Sequence, residues 1–123
     1  METDRTDDDR GALRGNAELN AQVVVWQGNI THLDVDAVVN AANQRLAAGS
    51  GICGAIFEAA GLRELQQTCW RDYPRGCPTG SMVVTSGCKL AARWIFHAVG
   101  PTREDAARLR ACYRKCLDGC VAN

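Results

Sequence analysis

The sequence is short of several things at once, and each shortage narrows what the chain can be. Aromatic residues are only 6% of 123 positions against 46% hydrophobic overall, so the core has to be built from Ala, Val, Leu, Ile and Cys. Charge of one sign is not in excess, since Lys plus Arg and Asp plus Glu number 14 each. That balance speaks against a binder of phosphate backbones, and nucleic acid is not an expected partner. No stretch approaches the roughly 20 apolar residues that cross a bilayer, so no membrane partner is expected either. Repeats and low-complexity segments are missing, and the length suits one domain.

Cysteine is plentiful but lacks the spacing that would give it a special task. The seven thiols, Cys53, Cys69, Cys77, Cys88, Cys112, Cys116 and Cys120, form no CxxC pair and follow no secretory signal. Reduced thiols in the cytoplasm fit best. Cys112, Cys116 and Cys120 recur at helical spacing, yet no histidine lies near them in sequence, so they read as small core residues; no metal and no cofactor are expected. The histidines are two: His32 sits in a polar turn and His97 ends an apolar strand, and neither spacing makes a nucleophile–base pair with a cysteine.

What is present reads as a layered α/β domain. Residues 1–20 carry "TDRTDDDR" and almost nothing apolar, which predicts a disordered leader ahead of a domain over 21–123. "AQVVVWQ" and "VDAVVNAA" predict buried strands joined by the tight connection "GNITHLD". "ICGAIFEAAG" predicts a helix opened by Gly49, Ser50 and Gly51 and ended by Gly61; "LRELQQTCWRDY" predicts a second helix stopped by Pro74. After the turn "RGCPTG", "SMVVTSG" and "ARWIFHAVG" predict two more strands. "REDAARLRACYRKCLDGC" then predicts a surface helix with an apolar stripe at Ala107, Leu109, Ala111, Cys112, Cys116 and Leu117. The expected order is β, β, α, α, β, β, α.

The stretch from Asn40 to Cys53 occupies the place where α/β sheets hold ligands, a loop leading from a strand end into a helix amino terminus. The first turn of a helix has unpaired N–H groups and a positive dipole end, so Gly49, Gly51 and the amides of Ile52 and Cys53 could surround a phosphate. Glycines there also serve plain turn geometry. Asn40 or Asn43 could bind ribose hydroxyls or hold a water, and either could instead close a local turn through its own backbone.

"GNITHLDVDAVVNAAN", "GSGICGAIFEAAG", "CPTG" and "HAVGP", in this order and spacing, resemble the macrodomain family of ADP-ribose-binding modules over roughly Val23 to Asn123. The resemblance is strongest to the branch of ADP-ribosyl hydrolases and O-acetyl-ADP-ribose deacetylases. It implies a three-layer α/β/α sandwich with a mixed sheet, and ADP-ribose or an ADP-ribosylated protein as partner. It also implies roles: Asn29, beside Ile30, stands where the family has an aspartate that binds the adenine amino group; Asn43 contacts the distal ribose; Gly49, Ser50 and Gly51 hold the diphosphate.

Two departures follow from the same resemblance. Hydrolytic members carry an aspartate at the position of Cys53, where it activates a water or orients the ribose. A thiol at a helix amino terminus is a weak base at best, so Asn43 and Cys53 are the catalytic candidates of a site expected to bind better than it hydrolyses. In addition, the helix over Glu104 to Val121 is followed in the family by a further strand and a second glycine-rich loop, so the domain is expected to be incomplete at its C-terminus, with an exposed sheet edge prone to self-association. An ADP-ribosyl hydrolase or deacetylase, a non-catalytic ADP-ribose reader and an inactive truncated product all remain open.

Overall fold

A computed structural model describes residues 17–122. The expected leader therefore lies mostly outside the described residues; of its span only Ala17–Asn20 is seen, as a single helical turn, α1. The elements that follow are a 3-10 turn at Ile30–His32, strand β1 at Ala37–Ala41, helices α2 at Gly51–Ala60 and α3 at Leu62–Asp72, strands β2 at Met82–Ser86 and β3 at Trp94–Ala98, and helix α4 at Ala106–Ala122.

The three strands form one mixed sheet in the order β1-β3-β2, with β1 parallel and β2 antiparallel to β3. Asn40 pairs with His97, and His97 with Val83, in the central register. Alternation gives the sheet two covered faces. Val38 and Ile95 join Ile56, Phe57, Ala60 and Leu65 in a core beneath α2 and α3. On the opposite face Phe96 and Met82 lie under α4 at Gly119, where a Cβ would come within 2.8 Å of Met82 Cε and 3.3 Å of the Phe96 ring. Helices on both faces of a mixed sheet make the expected three-layer α/β/α sandwich.

Local signals explain the joints. Gly61 ends α2 and opens α3 at φ +102, a conformation that strongly favours glycine, and its N–H donates to Glu58 O at 3.3 Å. Helix α3 buries Leu65 and Cys69 at i, i+4 spacing and stops one residue before Pro74 would break it at Tyr73. Tyr73 then donates its hydroxyl to Val84 O at 2.7 Å, tying the end of α3 to β2.

Two expectations are corrected. "AQVVVWQ" is not a strand: Val23, Val24 and Val25 are 72%, 78% and 99% exposed, and no described strand pairs with them. A β-branched run becomes a strand only when a neighbouring backbone takes up its N–H and C=O groups, and this segment pairs with neither β1 nor β2, whose outer edges stay open. The stripe on α4 is also narrower than the sequence implies. Cys112 and Gly119 are its buried positions, whereas Leu109 and Leu117 remain 46% and 68% exposed, because the helix meets the sheet along one line of small residues.

Candidate functional site

β1 and β3 run parallel and end side by side at Ala41 and Ala98, and the chain beyond each end frames a cleft of about 380 Å³. Asn43, Gln44 and Arg45 line it from the β1 side, Val99, Gly100 and Thr102 from the β3 side. The loop from Asn43 to Ser50 then rises to the start of α2. Its first helical bond runs from Gly54 N–H to Ser50 O at 3.2 Å, which leaves the amides of Gly51, Ile52 and Cys53 ahead of the helix ladder. Gly51 sits at φ +60 with open space around the position of its absent Cβ. Ser50 is the N-cap residue but makes no side-chain capping bond, so no hydroxyl competes for those amides. Bare amides at a positive helix end, at the end of a loop that starts in the cleft wall, suit an anion such as a diphosphate.

Asn43 builds this loop from within. Its Oδ1 accepts from Arg45 N at 3.1 Å and Ala47 N at 3.0 Å, and its Nδ2 donates to Ala47 O at 2.9 Å. The side chain is exposed, and one amide hydrogen remains for a partner in the cleft. Asn29 is engaged in the same manner: its Oδ1 caps the 3-10 turn, accepting from Thr31 N at 3.0 Å and Thr31 Oγ1 at 2.7 Å. Ile30 beside it packs against the core.

Asn40 lies elsewhere than the cleft. It is wholly buried, and its Nδ2 lies 3.1 Å from His97 Nδ1 and 3.7 Å from Cys53 Sγ, so its side chain belongs to the core and not to the ligand-facing wall. Thr85 Oγ1 donates to Ser86 O at 3.1 Å and receives His97 Nε2–H at 2.9 Å, a chain of donors that makes His97 the neutral Nε2–H tautomer accepting from Asn40. Burial pushes His97 down to about 4, so it stays uncharged near neutrality and offers no imidazolium as a general acid. Phe57 closes the pocket around it, with ring centroids 6.2 Å apart.

Cys53 is 6% exposed, and its thiol donates toward Ala47 O at 3.8 Å. The sulfur thus packs between the loop carbonyl and the Asn40 amide, 3.8 and 3.7 Å away. Cys69, 3.9 Å from His97 Nε2, is pushed up to about 11, chiefly by burial and further by Cys88, Cys53 and Asp72, so it is no thiolate nucleophile.

Sequence reasoning missed the braces that hold the loop. Gln66 on α3 donates to Leu46 O and accepts from Ala48 N, both at 2.8 Å, and Trp70 one turn later donates its indole N–H to Arg45 O at 3.2 Å. Gln44 donates to Thr79 Oγ1 at 2.9 Å, and its carbonyl accepts from Cys77 N at 2.8 Å. The one available signal was the i, i+4 spacing of a glutamine and a tryptophan beside the buried pair Leu65 and Cys69. Among the described residues no group of three or more His, Cys, Asp or Glu side chains is arranged to hold a metal, and no helix is long and apolar enough to cross a membrane.

Residues 39–123 match the family model described as Macro domain. The chain belongs to the macro domain family. A macro domain-containing protein of Xanthomonas axonopodis pv. citri is 45% identical over 104 residues, covering 78% of this chain and 58% of that protein. The ADP-ribose glycohydrolase MACROD1 of Mus musculus is 41% identical over 107 residues, covering 82% and 32% respectively. Among solved structures, the macrodomain of Trypanosoma brucei in complex with ADP-ribose matches with TM-score 0.69 and 42% identity over 76% of this chain and 39% of that one. The Oceanobacillus iheyensis macrodomain with ADP matches at 0.67 and 36% identity over 77% and 55%. This macro domain chain thus spans less than two thirds of the length of each of these relatives.

Proposed function

We propose that this chain binds ADP-ribose, free or attached to protein, through the loop from Asn43 to Cys53, and that it binds without efficient turnover. The observation that carries the reading is the stretch of uncapped amides at Gly51, Ile52 and Cys53, at the end of a loop whose start, Asn43 to Arg45, lines the cleft. The diphosphate would lie on Gly49, Ser50, Gly51 and those amides, with the spare Nδ2 hydrogen of Asn43 on the distal ribose. With its oxygen held by Thr31, Asn29 presents a base with its Nδ2 donor, which suits an adenine ring nitrogen better than the exocyclic amino group. Ile30 lies beside it, and Asn40 supports the site from the core through Cys53. Relatives whose structures hold ADP-ribose and ADP support the ligand class. Calorimetry with ADP-ribose is expected to give binding that Gly49→Val weakens; no heat at millimolar ligand would sink the proposal.

Hydrolysis or deacetylation is the second reading, favoured by the likeness to an ADP-ribose glycohydrolase. It would need Asn43 to place the ribose and Cys53 to act on a water. The burial of the Cys53 sulfur between Ala47 O and Asn40 Nδ2 speaks against a base that reaches a water there. Cys53→Ala is expected to leave any turnover unchanged, whereas Cys53→Asp raises it by about tenfold or more, in keeping with general-base contributions of roughly 10²–10⁴. A loss of measurable turnover in Cys53→Ala would reverse the assignment and make the protein an enzyme through its thiol.

Seven free thiols support a reducing, cytoplasmic setting. The chain would also self-associate at moderate concentration, through the edge of β1 that β3 leaves unpaired and the exposed Val39 beside it. Light scattering behind size exclusion should show growth of mass with concentration, abolished by Val39→Lys. A monomer at all concentrations refutes it.

A further inference from the structure

A second groove, of about 760 Å³, lies on the outer side of the ligand loop, and no role has yet fallen to it. Its walls include Arg45, Trp70 and Arg75, and it adjoins the cleft, because Gln44 and Arg45 line both. The two arginines come from adjacent backbone: Cys77 N–H donates to Gln44 O at 2.8 Å, and a Cβ at Gly76, which sits at φ +75, would come within 3.5 Å of Arg45 Cα. Neither guanidinium has an ion-pair partner among the described residues, whereas the nearby Arg71 is paired with Asp72 at 2.9 Å. Trp70 is 53% exposed, yet its indole N–H is fixed on Arg45 O, so the ring is an anchored surface at the groove and not a free side chain.

An anchored aromatic face beside two unpaired guanidiniums is the chemistry that recognises a planar base joined to a diphosphate. We propose that this groove is a second nucleoside-diphosphate subsite, in which a base stacks on Trp70 and Arg45 and Arg75 hold the phosphates. It rests on the proposed loop site in one respect: its position continuous with that cleft would let it take the neighbouring unit of a chain of ADP-ribose units. An acidic polypeptide would use the arginines but leave the aromatic face without a specific partner. Nucleic acid would need more phosphate contacts than two cations supply in a chain of balanced charge.

ADP itself is the probe, because it can report on each site alone. Calorimetry of the whole chain should give two ADP equivalents. Arg75→Glu, at an exposed position, should remove one of them, weakening it by about tenfold or more as expected for loss of a charge-assisted phosphate contact. Gly49→Val should remove the other; a Cβ there meets nothing nearer than Cys53 Sγ at 3.8 Å, and an unchanged melting temperature of the variant would show that its γ-methyls leave the fold intact. Trp70→Ala should abolish the fluorescence quenching that accompanies the Arg75-sensitive equivalent, but it also cuts the bond to Arg45 O, so Arg75→Glu carries the decision. A single equivalent lost in Gly49→Val and untouched by Arg75→Glu overturns the subsite and leaves the loop reading intact. A single equivalent lost only in Arg75→Glu overturns the loop reading and keeps the subsite. Displacement of ADP from the Arg75-sensitive site by a hexaglutamate peptide at equal concentration would overturn the nucleotide assignment in favour of an acidic polypeptide.

Discussion

The two sides of the sheet are built to different standards. Beneath α2 and α3 the packing is continuous: Ile56, Ala60, Leu65, Cys69 and Ile95 are wholly buried, and the ligand loop above is tied down by Gln44, Gln66 and Trp70. Toward α4 and the free edge of β1, Val39, Leu109, Tyr113, Leu117 and Val121 stand 44% to 90% exposed, and α4 touches the sheet mainly through Cys112 and Gly119. The site therefore rests on the well-made half. Stability and ligand binding should draw on the same residues there, while the α4 side contributes little to either.

Substitutions can widen or collapse this contrast. The largest effect is expected from Phe57→Ala, which empties a 1% exposed position and should destabilise by about 3–5 kcal/mol, against a change within about 0.5 kcal/mol for the exposed Leu117→Ala, both read from urea unfolding. Equal effects would end the distinction between the halves. Next comes pH. His97 has its pKa lowered from 6.5 to about 4 by burial, so below 6.5 the unfolded chain takes up a proton that the native state refuses. The resulting stability is present above pH 6.5 and is lost as pH falls toward 4, by an amount of the order of 3 kcal/mol over that window. Unfolding free energies of wild type and His97→Gln between these limits should diverge in slope; parallel curves would remove His97 from the account. The smallest effect is expected from Gln66→Ala, which cuts two bonds to the loop at about 1 kcal/mol each. ADP-ribose affinity should fall severalfold together with a drop of several degrees in melting temperature, and faster exchange of the Ala48 amide should accompany it. If affinity did not move, the braces would be incidental.

How far the sequence revealed these halves depends on the range of the interaction that decides each element. Helix α2 was legible because Gly49, Gly51 and Gly61 mark its ends locally, and β1, β2 and β3 because each is a short apolar run between turn residues. The segment Val23–Val25 was not, since its state hangs on a partner strand and not on its own β-branched side chains. The exposure of Leu109 and Leu117 was hidden for a similar reason: an apolar stripe records which side of a helix is greasy, not how much of it finds something to cover it. At the candidate site, Asn43 and the glycines marked the turn between β1 and α2. Asn40 read like a ligand contact because a polar residue at a strand end looks the same whether it meets solvent or a buried His97. Gln66 and Trp70 could not be assigned because the loop carbonyls they hold lie 20 and 25 positions away in sequence.

One contact sets the dimensions of the loop. A Cβ on Gly54 would stand 2.5 Å from Gly49 O, so main chain rests directly on main chain where the loop crosses α2. The height of the proposed binding surface above the helix is therefore gauged at this point by two backbones. Drift at Ala47, Ala48 or Ser50 can change what the surface offers a ligand without changing this contact. The same contact leaves position 54 no such latitude: any side chain there would lift the loop and shallow the surface for every ligand alike.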